Sequence, residues 1–272
     1  MTAASTEQGP LYPRIVVGFQ PNERGEDAAA LAELLAATAG GRVERVHVEH
    51  GSPAKKLFGL AERGQAELIV LGSTHRGSRG RVAPGSVAEH LLNGARCRLA
   101  IAPRGYARAR ATLAADASAE EADAVSAGTV PPSVREEPRV IGVGFNGTLE
   151  AHGALEEAAE LARRAAASMR VVAVDAPPPK QLEPQAAAET AGRLQASLHD
   201  AVAELPSELR ALPVYVKGEP AEKLLEQAGE GVDLLVLGSR GFGPVLRLLL
   251  GSVAGRVIRD APCPVLVMPR LG

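Results

Sequence analysis

LLVLGSRGFGPVLRLLLGSV, residues 234–253, carries an apolar run that closes on Gly238, a second glycine at Gly241, and a third, Gly251, followed by Ser252 at the start of a predicted helix. Four apolar residues ending on a glycine suit a buried parallel strand. The glycines beyond it let the backbone turn tightly and come close to a ligand. Ser252 is the expected N-cap of the helix. A helix start offers unpaired backbone N–H groups and the positive end of a dipole, so an anion over Gly251, Ser252 and Val253 meets several donors at once. Taken alone, the same residues also suit an ordinary strand–loop–helix whose glycines only make turns.

The chain writes this stretch twice. ELIVLGSTHRGSRGRVAPGSVAEHLLNGARCRLAIAPRG, residues 67–105, aligns without a gap on DLLVLGSRGFGPVLRLLLGSVAGRVIRDAPCPVLVMPRL, residues 233–271. Gly72 then matches Gly238, Gly85-Ser86 matches Gly251-Ser252, and Cys97 matches Cys263. His75 stands where the second copy has Gly241, and its side chain intrudes where a backbone should approach a phosphate.

With 272 residues, 46% of them hydrophobic, the chain can bury a core, and the repeat makes two domains the expected division. A formal net charge of −2 gives no global basic field for nucleic acid or an anionic membrane. No apolar run has the length of a membrane span, and MTAASTEQGPLYPR lacks the basic start and apolar core of a signal peptide, so a cytoplasmic protein is expected. Two cysteines at equivalent places in the copies read as small buried residues. Tryptophan is absent and aromatics are 3% of the chain, which weakens any case for base stacking on single-stranded nucleic acid.

Strands and helices alternate along the chain. RIVVGF (Arg14–Phe19) reads as a buried strand, Glu26–Ala39 as a helix, RVERVHVEH as an alternating strand, GSPAKKLFGLAERG as a helix and ELIVLGS as another buried strand. The second copy begins at Arg139 with RVIGVGF, continues with a helix over about Leu149–Ala167, and then has two strands, near Arg170 and Leu212, separated by a helix over about Pro184–Leu205. Matching positions are offset by 126 at the first strand and by 166 at the glycine motif, so the first copy lacks a strand and a helix. Parallel neighbours need crossover helices. The expected fold is therefore α/β: two doubly wound parallel-sheet domains, five strands in the second and about four in the first, shortened one. The boundaries read as 1–105 and 139–272. Residues 106–138, rich in Ala, Asp and Glu with Pro131-Pro132 near the end, read as a linker that contributes little core, with a surface helix or mobile chain over Ala107–Val125 as its two readings.

The Gly-x2-Gly-x9-Gly-Ser spacing, the apolar strand before it and APCPVLVMPR after it resemble the nucleotide-binding signature of the universal stress protein family, and the resemblance covers both copies. It implies a Rossmann-like fold and a stress-associated regulatory protein whose second domain binds an adenine nucleotide, ATP with or without Mg²⁺. Carried over, the phosphates lie on Gly238, Gly241, Gly251, Ser252 and Val253, and the backbone of Val174 meets adenine. Where the family has an acid just beyond the first strand, this chain has Asn146, whose amide can still hydrogen-bond a hydroxyl or a base edge. The first domain, without one wall of the pocket and with His75, reads as a degenerate partner. Its Arg76, Arg79 and Arg81 read as a solvated basic loop or an anion site. In this family the last strand often pairs domains, which implies an internal pseudo-dimer with Leu99–Pro103 facing Val265–Pro269, and leaves pairing of whole chains open.

Two other readings compete. A module with both pockets empty fits the departures at Asn146 and His75. An NAD-binding enzyme fits GVGFNG (Gly142–Gly147), which spells G-x-G-x-x-G, with Asp175 beyond the next strand, although Gly142 falls inside the apolar run. None of the six histidines has a metal or catalytic-triad spacing.

Overall fold

The computed structural model describes residues 9–47, 52–119, 137–179, 181, 183–239 and 251–269. The first half runs β1 (Arg14–Phe19), α1 (Glu23–Ala39), β2 (Arg42–His47), α2 (Pro53–Glu62), β3 (Leu68–Gly72), α3 (Ser86–Leu92), β4 (Arg98–Ala102) and α4 (Tyr106–Ala119). The second runs β5 (Val140–Phe145), α5 (Leu149–Arg164), β6 (Ser168–Asp175), α6 (Pro184–Ala203), a short 3-10 turn, β7 (Leu212–Lys217), α7 (Pro220–Gly229), β8 (Leu234–Gly238), α8 (Ser252–Asp260) and β9 (Val265–Met268). The strand and helix missing from the first half are the counterparts of α6 and β7.

Local chemistry sets the ends of the helices. Asn22 accepts a hydrogen bond from Gly25 N–H at 3.2 Å and starts α1 three residues ahead of the sequence expectation. Gly40 ends it in the left-handed region at φ 77°, a conformation that costs glycine little. Thr148 caps α5 in the same way through Ala151 N–H.

The strands of the described residues lie in one nine-stranded sheet of order β2-β1-β3-β4-β9-β8-β5-β6-β7. Neighbours are parallel except where the halves meet. There β4 and β9 run antiparallel, with Leu99 opposite Val267, Ala100 opposite Leu266 and Ile101 opposite Val265. Alternate strand residues feed two apolar cores, one under α1, α4, α5 and α6 and one under α2, α3, α7 and α8, and each core contains residues of both halves. Cys97 and Cys263 are buried in the second core, and burial pushes both thiols up to about 12, so neither is a reactive thiolate.

The first core reaches into the segment expected to contribute little to it. Tyr106 is 2% exposed, and the buried carboxylate of Asp27 on α1 accepts from the N–H groups of Gly105 (2.8 Å) and Ala107 (2.9 Å), so α4 is fastened at its first turn. Burial raises the pKa of Asp27 against the pull of these two donors. Residues 120–136 of the expected linker lie outside the described residues.

Candidate functional site

β7-β6-β5-β8-β9 is a 3-2-1-4-5 sheet, and its order reverses between β5 and β8, the place where open α/β sheets bind ligands beyond their strand ends. A cavity of about 1400 Å³, counting the space at its open mouth, lies there. Gly144 and Phe145 of β5, Val172 and Val174 of β6, Leu237 and Gly238 of β8, and Gly251, Val253 and Ala254 at the start of α8 line it, with Pro220 and Leu224 of α7. One wall is thus apolar, and the other end is a helix start with backbone donors.

Five of the sequence-derived site residues, Asn146, Val174, Gly238, Gly251 and Val253, border this one cavity. Gly241 lies outside the described residues. Ser252 is not the N-cap. Gly251 takes that place with extended backbone (φ −71°, ψ 160°) and no side-chain cap, while Ser252 is the first helical residue and is exposed. Among the described residues no side chain caps the first-turn N–H groups of α8, the groups that a helix start offers to water or a ligand. Asn146 uses its carbonyl oxygen locally, accepting from Thr148 N–H (3.2 Å) and from the Thr148 hydroxyl (2.8 Å), which fixes the turn into α5.

Gly238 has a packing reason to be glycine. A Cβ there would stand 2.5 Å from the Glu150 carbonyl oxygen, because the first turn of α5 sits directly over the end of β8. Gly238→Ala must displace that turn. The expected cost is about 1–3 kcal/mol, read as a lower urea midpoint at an unchanged slope, and an unaltered midpoint would show that the turn yields freely.

Ser239 was not singled out from the sequence. It is 2% exposed, borders the cavity, and its hydroxyl has no hydrogen-bond partner among the described residues. Its counterpart Ser73 donates to the Ala102 carbonyl (2.6 Å) and accepts from Ala83 N–H (2.9 Å). The Gly-Ser pair repeated at 72–73 and 238–239 was the available signal.

The equivalent place in the first half is smaller, about 570 Å³, and is lined by the matching residues Gly18, Phe19, Gln20, Val46, Leu71, Gly72, Gly85, Val87 and Ala88. Arg24 is the main difference, since Glu150 is its counterpart in the second half. The Arg24 side chain lies along the start of α3, with Cγ 2.9 Å from a Cβ built on Gly72 and Nη1 3.9 Å from one built on Gly85. It lines the smaller cavity together with Gly72 and Gly85. The neighbouring basic loop is tied down: Arg79 and Arg104 pair with Glu23, Arg104 also donates to the carbonyls of His75 and Gly77 at 3.0 Å each, and Arg81 donates to the Asp260 carbonyl at 2.8 Å. Among the described residues no group of acidic, histidine and cysteine side chains could hold a metal ion, and no helix is long and apolar enough to cross a membrane.

The G-x-G-x-x-G run does not form a pyrophosphate turn. Gly142 and Gly144 are inside β5, and Cβ atoms there would meet Val232 at 2.9 Å and Leu237 at 2.8 Å. These glycines make room for apolar neighbours.

Sheet order, covering helices and the cavity at the switch point define a Rossmann-like α/β protein built from two related halves. The chain belongs to the universal stress protein family, whose sequence profile matches residues 5–103 and 138–269. It is similar to a universal stress protein of Mycobacterium tuberculosis, 29% identical over 238 residues that make up 82% of this chain and 71% of the relative. Another, from Mycobacterium bovis, is 26% identical over 267 residues, 94% and 80% of the two chains. Among solved structures, a universal stress protein of Archaeoglobus fulgidus superposes with a TM-score of 0.55 at 21% identity over 89% of this chain and 76% of its own. A Pseudomonas aeruginosa protein described as functionally unknown superposes with a TM-score of 0.62 at 14% identity over 95% and 92%. At these identities the superpositions speak for the fold alone.

Proposed function

We propose that this protein is a stress-associated regulatory protein that binds one adenine nucleotide, ATP with or without Mg²⁺, in the cavity of its second half. The observation that carries this reading is the start of α8, without a side-chain cap among the described residues, at the edge of a large cavity at the switch point. The buried Ser239 hydroxyl beside it supplies a further polar group for a ligand. Phosphates over Gly251, Ser252 and Val253 would use the helix donors, and the base would rest against Val172, Val174 and Leu224.

The first half does not take part, because its cavity is smaller, Arg24 lines it where Glu150 stands in the second half, and among the described residues no counterpart of α6 and β7 walls it. The halves act as an internal pseudo-dimer, a reading supported by the antiparallel β4–β9 register and the shared cores.

Mass spectrometry of small molecules released from the purified, denatured protein should find an adenine nucleotide, and calorimetry on stripped protein should give one ATP site per chain. Absence of measurable ATP binding overturns the reading. Two sites of similar affinity would overturn the exclusion of the first half.

A further inference from the structure

β4 and β9 pair about one point, Ala100 opposite Leu266, and these two residues occupy the same position in the sequence repeat. Every contact on one side of this point therefore has a mirror position on the other, found with the repeat offsets of 126 and 166. The two sides are not alike. On one, Arg98 of β4 forms a bidentate pair with Glu157 of α5: its Nη2 donates to Oε2 at 2.8 Å and its Nε to Oε1. The side chains are only 21% and 6% exposed. The guanidinium also lies over the Tyr12 ring, 5.4 Å from its centroid. On the mirror side, Arg98 is replaced by Pro264, Glu157 by Leu31 and Tyr12 by Pro138, all buried and none able to carry charge.

We propose that this one-sided ion pair selects the partner of the interface: a first half accepts a second half, and neither accepts a copy of itself. The proposal rests on the pairing across β4–β9 and is independent of nucleotide binding. Two first halves joined in the same way would set Arg98 at the position facing Leu31, twice. Two second halves would set Glu157 at the position facing Pro264, twice. Each such pairing buries charges without partners, whereas the mixed pair buries one arginine against one carboxylate and leaves the mirror side apolar. Opposed strands of this kind are otherwise prone to pair with any similar edge, and two halves that share an ancestral interface need a device against it.

The test keeps both halves present. A protease site is placed between residues 120 and 136, the folded chain is cut, and the halves are dissociated in urea, returned to buffer and weighed by native mass spectrometry. The wild type should re-form mixed pairs almost exclusively. Arg98→Leu with Glu157→Leu, which makes both sides apolar, should raise like pairs to about half of the total, the statistical share. Single changes should act in opposite directions: Glu157→Leu should release pairs of second halves and Arg98→Leu pairs of first halves. Like pairs in the wild type, exclusive mixed pairing in the double variant, or single variants without this direction would each overturn the proposal. Should a leucine variant not refold, the charge-exchanged chain Arg98→Glu with Glu157→Arg decides. Mixed with cut wild type, its halves should re-form their own pairs, since cross pairs oppose two arginines or two carboxylates, and cross pairs at the statistical share overturn the proposal.

Discussion

Gly251→Asp lowers the affinity of the intact chain for ATP by roughly 30- to 100-fold while changing adenosine affinity by less than about threefold. Position 251 has extended backbone that any residue adopts, and it is already the N-cap of α8. Aspartate is among the best N-caps, so the helix is expected to gain rather than lose stability. The same carboxylate satisfies first-turn N–H groups and sets a negative charge where phosphates are proposed to lie. At about 4–6 Å and an effective dielectric near 20, one charge opposes one charge by about 3–4 kcal/mol, which salt and rearrangement reduce to about 2–3. Adenosine lacks the phosphates and should notice little. Calorimetry with ATP and adenosine reads the difference. Equal losses for both ligands would mean a general disturbance of the cavity, and unchanged ATP affinity would remove the phosphates from the start of α8.

That position is legible in the sequence because the repeat isolates it. Gly85-Ser86 and Gly251-Ser252 follow the same apolar strand at the same distance, and each begins a helix. The parallel strands were legible for a related reason. LIVLG and LLVLG are buried on both faces, so their sequences are continuously apolar and flanked by glycine. The shift in offset between first strand and glycine motif located the missing strand and helix without reference to packing.

What the sequence did not reveal depends on residues distant along the chain. Assigning the cap to Ser252 rather than Gly251 is a one-residue matter of backbone angle, which composition does not encode. Tyr106 reads in the sequence as the first residue of the linker, and only the Asp27 carboxylate, three helices earlier in the chain, explains why the chain folds back there. Gly238 is read as a ligand contact, yet the Glu150 carbonyl oxygen over it gives a sufficient packing reason for the absent side chain. Arg24 and Glu150 occupy matching positions, but their opposite charges gain meaning only once each is found lining the cavity of its own half.

Glu157→Leu destabilises the whole chain by about 3–5 kcal/mol, because it leaves the Arg98 guanidinium mostly buried without its carboxylate. Burial alone would lower the pKa of Arg98, and the hydrogen bonds and charge of Glu157 overcome this and raise it. Removing the carboxylate leaves the burial penalty unopposed. Arg98→Leu in the same chain should restore stability to within about 1 kcal/mol of the wild type, since apolar replacements of a buried ion pair are often neutral or better. For a chain of this size the single change lowers the melting temperature by roughly 6–15 °C. This pair is a better probe of the junction than the strand residues themselves. Ile101 and Val267 are both fully buried in the core under α3 and α8, so lysine at either place unfolds the sheet rather than parting the halves. Thermal and urea unfolding of the two single variants and the double variant forms a closed cycle. A coupling near zero would mean that Arg98 and Glu157 are stabilised separately, and the junction would then owe its strength to β4–β9 and to Arg164, which donates to the carbonyls of Ala39 and Gly9 at 2.9 Å each.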